Sequence, residues 1–303
     1  MITRNPMSAR ERRAVGGLAL LYSFRMLGLF MVLPLLALYT AEIPGATATL
    51  IGVAIGIYGL SQAILQIPMG WLSDRIGRKP VILAGLVVFA LGSAVAGLAE
   101  SIEGVILGRF LQGAGAIGGS VMALTADLTR DEQRTKAMAI VGATIGVSFA
   151  LALVLGPLVA ASGGLSSVFN LTAGLAVFGI AIVVFIIPTP SAPVVLEDVS
   201  FRLDRLLGVI RDPALLPHYI GVFSLHFILM STFLLVPGII EGALLVPREQ
   251  HWKVYLPVLA LSVLGMLPLL RLAERNGRAS EVLFGTIVLL LLALVGLTLM
   301  RAP

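Results

Sequence analysis

The sequence has no cysteine, and its three histidines are spread along the chain. Disulfides, thiolate metal sites and cysteine nucleophiles are thereby excluded, and separated histidines make no metal-ligand cluster. Charge is scarce as well. Only 12% of the 303 residues are Asp, Glu, Lys or Arg, where soluble domains carry about a quarter. Neither H-E-x-x-H nor G-x-S-x-G occurs, and no pair of carboxylates falls inside an apolar run. A membrane-embedded enzyme therefore lacks motif support, and no metal or cofactor is expected. What is present is apolar: 58% of residues are hydrophobic and mean hydropathy is +1.03. That balance excludes a soluble globular domain and predicts an all-α polytopic membrane protein. The 33 glycines fit this class, because small residues let lipid-embedded helices approach closely.

A crossing takes about 20 predominantly apolar residues. Nine stretches qualify: 14–39, 50–72, 80–99, 104–126, 135–161, 166–187, 216–240, 253–273 and 282–300. The first follows four arginines and runs on past Arg25 with no small-residue cleavage site. It reads as an uncleaved helix rather than a secretory signal.

The net charge of +5 gains meaning from its placement. With the N-terminus in the cytoplasm, sixteen of the 21 Lys and Arg fall on the inner side, three on the outer side (Arg248, Lys253, Arg301) and two within spans (Arg25, Arg109). This is the positive-inside pattern of an inner-membrane protein. It leaves no support for a nucleic-acid partner, and the lipid bilayer is the expected one, with the chain acting as a monomer.

The spans group into residues 1–187, an N-terminal half of six; 188–215, a cytoplasmic linker; and 216–303, three helices of a second half. The linker opens with Pro188, Pro190 and Pro193 and continues with Arg202, Asp204 and Arg205 among apolar residues. An interfacial helix and a solvated loop both suit it. An internal repeat joins the two parts: Leu72, Asp74, Arg75, Gly77 and Arg78 recur as Leu272, Glu274, Arg275, Gly277 and Arg278. The constant offset of 200 residues aligns spans two and three with eight and nine, as in parallel repeats whose halves rock about a central site. By that arithmetic the second half has three spans fewer than its mate, and a truncated chain is one expectation.

The turn over 70–80 carries the first candidate chemistry. Gly77 permits a tight reversal and Pro80 suits a helix start. Asp74 is the unusual member, because a carboxylate near a helix C-terminus is disfavoured by the macrodipole and needs a cation. Arg75, Arg78 and Lys79 are at hand, and Asp127 is a second acid within reach. The plain alternative is a positive-inside turn.

These residues resemble a family signature. Gly70, Leu72, Asp74, Arg75, Gly77, Arg78 and Lys79 match G-x-L-x-D-R-x-G-R-K, found between the second and third helices of the major facilitator superfamily. The chain is most similar to its bacterial drug/proton antiporter branch. A second signature, R-x-x-Q-G, is matched in the fourth span by Arg109, Gln112 and Gly113. The resemblance implies alternating-access transport of a small organic solute, coupled to protons and directed outward. It implies that Asp74, Arg78 and Asp127 latch the two halves in the outward-facing state. Arg109 would act in proton coupling, although snorkelling toward the outer interface is an alternative. The fifth span keeps Gly156 and Pro157 of the antiporter signature but has Ala143, Ala152, Ala160 and Ala161 where that signature places glycine. Small size is kept, so a kinkable, closely packed helix is still expected.

Other residues stand on physics alone. Arg25 lies about 16 Å from the inner end of its span at 1.5 Å per residue, too deep to reach either surface. A charge there defaults to a pathway or pairing role. No Asp or Glu lies within the spans, so its counter-charge is a solute, a helix end, backbone carbonyls or a group elsewhere. Gly115 and Gly119 form a GxxxG pair for helix contact. His226 falls mid-span, where an imidazole is a candidate proton carrier, or is a neutral residue bonded to a neighbouring helix. Tyr22, Tyr58 and Gln62 are candidate cavity contacts, whereas Pro34, Pro237 and Pro257 bend helices. A non-transporting relative and a polytopic enzyme are the remaining rival readings.

Overall fold

The computed structural model describes residues 6–40, 42–189, 208–209, 211–275 and 277–299. Most of the 188–215 linker, including Arg202, Asp204 and Arg205, lies outside them. The described elements are helical: α1 (Ala9–Thr40), α2 (Ala48–Ile76), α3 (Arg78–Gly97), α4 (Ile102–Ala114), α5 (Gly118–Asp127), α6 (Asp131–Ala181) continuing as a π-helical turn (Ile182–Ile186), α7 (Leu216–Gly242), α8 (Trp252–Arg275) and α9 (Ala279–Leu299).

Eight stretches are long and apolar enough to cross a membrane. One of them is two crossings. The stretch 131–186 breaks at Gly163 and Gly164, and Gly164 takes φ +65°, which glycine alone adopts cheaply. Its arms, 131–162 and 165–186, match the fifth and sixth spans read from the sequence. Among the described residues the crossings thus number nine.

Local chemistry sets the boundaries. Ser8 caps α1 through a reciprocal box: Glu11 N–H donates to Ser8 Oγ at 3.2 Å, and Ser8 N–H to Glu11 Oε2 at 2.7 Å. Glu11 also accepts the backbone N–H and guanidinium of Arg130, each at 3.0 Å, fixing the start of α1 to the start of α6. Thr47 and Ser101 accept the N–H of Leu50 and Gly104 to cap α2 and α4. Three cations close the far end of α6: Lys79 donates to Ile187 O, Arg10 to Thr189 O and Arg13 to Phe185 O, all at 2.8 Å. That is the end where the macrodipole favours positive charge.

The core lies where α1 packs against both arms of α6 and against α3 and α5. Leu18, Leu21, Ile82, Leu86, Ile117 and Val121 are fully or almost fully buried in it. The helix α3 crosses α4 at backbone range: a methyl on Gly92 would stand 2.6 Å from Gln112 N, and one on Gly108 would stand 2.6 Å from Ala96 N. Phe233 of α7 meets Phe149 of α6 with ring centroids 6.0 Å apart, and Phe149 meets Phe30 of α1 at 5.2 Å.

Two compact units result, Met1–Trp252 and Lys253–Pro303. The division by contacts thus falls after α7, not at the linker, because α7 packs on α1. Within the second unit the turn between α8 and α9 has Gly277 at φ +64°, and its counterpart Gly77 has φ +98°. The repeat seen in sequence therefore places a positive-φ glycine at the same point of both turns.

Candidate functional site

At the basic end of the first unit, Gly77 ends α2 and starts α3, turning Arg78 back over the tip of α2. Arg78 pairs with Asp74 one helical turn earlier. Its Nε donates to Asp127 Oδ2 at 3.2 Å and its Nη1 to Ser73 Oγ at 2.8 Å. Ser73 Oγ in turn donates to Gly70 O at 2.7 Å. Both carboxylates stand at helix C-terminal ends, where the dipole opposes them, and one guanidinium serves both. Arg75 does not join this cluster: its guanidinium lies 4.0 Å from the Trp71 ring centroid. Lys79 likewise turns away, to Ile187 O. Of the seven residues singled out at this end, Asp74, Arg78 and Asp127 therefore form a three-charge centre, while Arg75 and Lys79 face other partners.

Deeper in the same unit, Arg109 is fully buried. Its Nη1 donates to Gln112 Oε1 at 2.8 Å, its Nε to Ala54 O at 3.3 Å, and its guanidinium lies 4.6 Å from the Tyr58 ring centroid. Gln112 passes the network on to Ser93 Oγ at 2.8 Å. Gly113 allows α4 to sit on α2: a methyl there would fall 2.0 Å from Ser61 Oγ and 2.2 Å from Tyr58 O. These contacts hold Arg109 inward, away from the interface a snorkelling side chain would seek.

The fourth span is not continuous. The helix α4 stops at Ala114 and α5 begins at Gly118, with Gly115, Ala116 and Ile117 between. This corrects the expected GxxxG ridge. Gly115 faces α3, where a methyl would stand 2.4 Å from Gly85 O, whereas Gly119 is exposed and would meet only Gln66 Nε2, at 3.3 Å. A helix interrupted between two glycines does not present them on one stripe. Arg25 reaches this interruption: its Nη2 donates to Gly115 O at 3.1 Å, and its guanidinium lies 5.5 Å from the Phe89 ring centroid. Gly156 packs on α1, 3.2 Å being left between a methyl there and Met31 O, and Pro157 follows within α6. His226 stands apart on the exposed face of α7, bonded to Val222 O of its own helix at 2.9 Å.

Several polar groups of the site went unread. Gln66 follows Tyr58 and Gln62 at four-residue spacing, which puts all three on one face of α2. Ser61 Oγ donates to Phe110 O at 3.0 Å. The periodicity was there to find Gln66; nothing local marks Ser61. Among the described residues no group of three or more His, Cys, Asp or Glu is placed to hold a metal ion.

The profile of the Major Facilitator Superfamily matches residues 18–303. The chain belongs to this superfamily. It is 46% identical over 287 residues to the inner membrane transport protein YajR of Escherichia coli, covering 95% of this chain and 63% of that protein. It therefore spans a little under two thirds of that relative's length. The multidrug resistance protein MdtH of Yersinia enterocolitica is 28% identical over 282 residues, covering 88% of this chain and 66% of MdtH. Among solved structures, a bacterial homologue of the human lysosomal transporter Spinster superposes with a TM-score of 0.72 at 15% identity, covering 89% of this chain and 64% of that one. The nucleoside transporter NupG gives 0.67 at 13% identity, covering 88% and 68%. At such identities the superpositions show a shared fold. The superfamily is one of transporters, not enzymes, and the chain is a multi-pass membrane protein.

Proposed function

We propose that the protein moves a small organic solute across the inner membrane by alternating access, with its N-terminus in the cytoplasm and with coupling to protons in the direction of efflux. The observation that carries this reading is Arg78 held between Asp74 and Asp127. This cluster joins the α2–α3 turn to the end of α5 at the basic end, where the superfamily resemblance puts a conformational latch. The YajR and MdtH similarities support transport in general, and MdtH, the more distant of the two, is the support for drug efflux.

Coupling needs a group whose protonation favours one facing state, since only differential affinity shifts populations. Arginine is charged at every working pH. Arg25 and Arg109 therefore tune a partner instead of carrying the proton, and Asp74, Asp127 and His226 are the candidates for that carrier. Reconstitution in proteoliposomes tests the reading. Solute flux that responds to an imposed pH gradient is the expected result. Flux indifferent to pH would remove the coupling, and no flux under any gradient would remove transport.

A further inference from the structure

We propose that the break between α4 and α5 is the seat of an anionic group, and that the transported solute is a carboxylate-bearing organic anion. The proposal rests on the transport reading and adds to it the class of solute.

The argument starts from charge. Arg25 is 2% exposed and Arg109 is fully buried, both within the first four crossings. Those crossings contain no acid between their ends: the carboxylates of this part of the chain are Glu11, Glu42, Asp74, Glu100, Glu103 and Asp127. Asp74 and Asp127 are taken up by Arg78, and Glu11 by Arg130. Glu42 pairs with Arg248. Arg109 is engaged by Ala54 O, Gln112 and the Tyr58 ring, and of its three nitrogens Nη2 alone has no partner among the described residues. Among the described residues Arg25 has one hydrogen bond, to Gly115 O, and its Nε and Nη1 have no partner. A guanidinium desolvated to this degree is costly unless an anion or several acceptors complete it.

The geometry of the break adds donors. The first helical hydrogen bond of α5 runs from Val121 N–H to Ile117 O at 2.9 Å, and no side chain caps the helix. The N–H groups of Gly118, Gly119 and Ser120 thus precede the helical ladder and form its positive dipole end. Ser120 Oγ is buried without a partner. A methyl on Gly118 would stand 3.3 Å from Gln66 Nε2 and 3.5 Å from Tyr22 OH, so an amide and a phenol converge on the same helix end. Gly119 is exposed and Gln66 half-buried, which leaves an open side for entry. Gly115 O, at the end of α4, offsets only part of the Arg25 charge, because a helix end carries about half a unit. A guanidinium bonded to Gly115 O, three residues before the α5 N-terminus, and not among the ion pairs of the described residues favours an anion over a neutral or cationic solute.

The test is binding, read apart from transport. Detergent-purified protein is titrated with acetate, lactate, benzoate and succinate, and with tetraphenylphosphonium as the cationic counterpart, following the thermal unfolding midpoint. At least one carboxylate should raise the midpoint saturably, and its apparent affinity should fall at least tenfold in Arg25→Lys, which keeps the charge and loses the fork. If that variant does not fold, Ser120→Ala serves instead, with a fall of several-fold expected. No saturable shift by any of the carboxylates, an undiminished shift in the variants, or stabilisation by the cation alone would overturn the seat. Carboxylate binding without carboxylate flux in proteoliposomes would overturn the solute class and leave the seat intact, whereas no flux of any solute under any gradient would sink the transport reading on which the proposal rests.

Discussion

Arg78 reaches from the first turn of α3 to Asp127 at the last turn of α5, with Nε 3.2 Å from Oδ2, while also pairing with Asp74 at the tip of α2. Three helix ends are joined through one side chain. The arginine is 14% exposed and Asp127 19%, so the pair is better shielded than a surface ion pair. Loosening it should shift the balance of facing states more than it disturbs the fold. Asp74→Asn is expected to insert normally and to lower flux roughly tenfold, the equivalent of about 1.4 kcal/mol. Membrane yield and proteoliposome flux measured together check this, and wild-type flux in the variant would remove the latch.

Arg25→Ala is expected to abolish flux. The side chain is buried at the α4–α5 break with two nitrogens unpartnered, and alanine removes the charge without replacing its bond to Gly115 O. Retained flux would reduce Arg25 to a structural residue.

Glycine positions separate into close contacts and open space. Gly113→Ala would drive a methyl to 2.2 Å from Tyr58 O, an overpacking expected to cost about 1–3 kcal/mol or more. Gly142→Ala meets nothing within 4 Å and should be neutral or stabilising by up to about 1 kcal/mol, since alanine is the better helix former. Unfolding midpoints in detergent distinguish the two, and equal midpoints would contradict the packing described here.

Glu11 lies in the first turn of α1, ahead of the apolar run. The Arg130 side chain, followed by its backbone N–H, holds the Glu11 carboxyl down to about 2 from its ordinary 4.5. A carboxyl lowered on folding adds stability that is complete above pH 4.5 and is lost as pH falls through about 2. The stability difference between wild type and Glu11→Gln should therefore be constant above pH 4.5 and shrink below it. A difference that does not change with pH in that window would show that Glu11 stabilises through packing alone.

At the opposite end Arg248 pairs with Glu42 and, at 2.7 Å, with Glu241, under which the Tyr39 ring lies 5.4 Å from the guanidinium. Glu42 is 60% exposed, so Arg248→Ala should cost no more than about 1 kcal/mol, and less in high salt. Unfolding midpoints at low and high salt measure it.

Much of this was legible from composition and short spacing. Hydropathy gave the crossings, and Gly77 with its charged neighbours marked the turn, because both signals reside in consecutive residues. Arg25 stood out for the same reason, as a charge deep in an apolar run. The break in the fourth span was not legible. The residues 104–126 read as one apolar stretch, and the interruption at Gly115, Ala116 and Ile117 comes with packing of Gly115 and Ile117 against Gly85, about thirty residues earlier. The Gly92 and Gly108 crossing, the Arg130 bonds to Glu11 and the Arg248 pair with Glu42 share that character. Each joins positions far apart in sequence, and no local period encodes which distant residue will be met.

The most direct measurement is solute flux by the purified chain in proteoliposomes, with and without a pH gradient and with Asp74→Asn alongside. Saturable flux that follows the gradient and falls about tenfold in the variant is the expected result. No flux under any gradient would contradict the transporter reading outright.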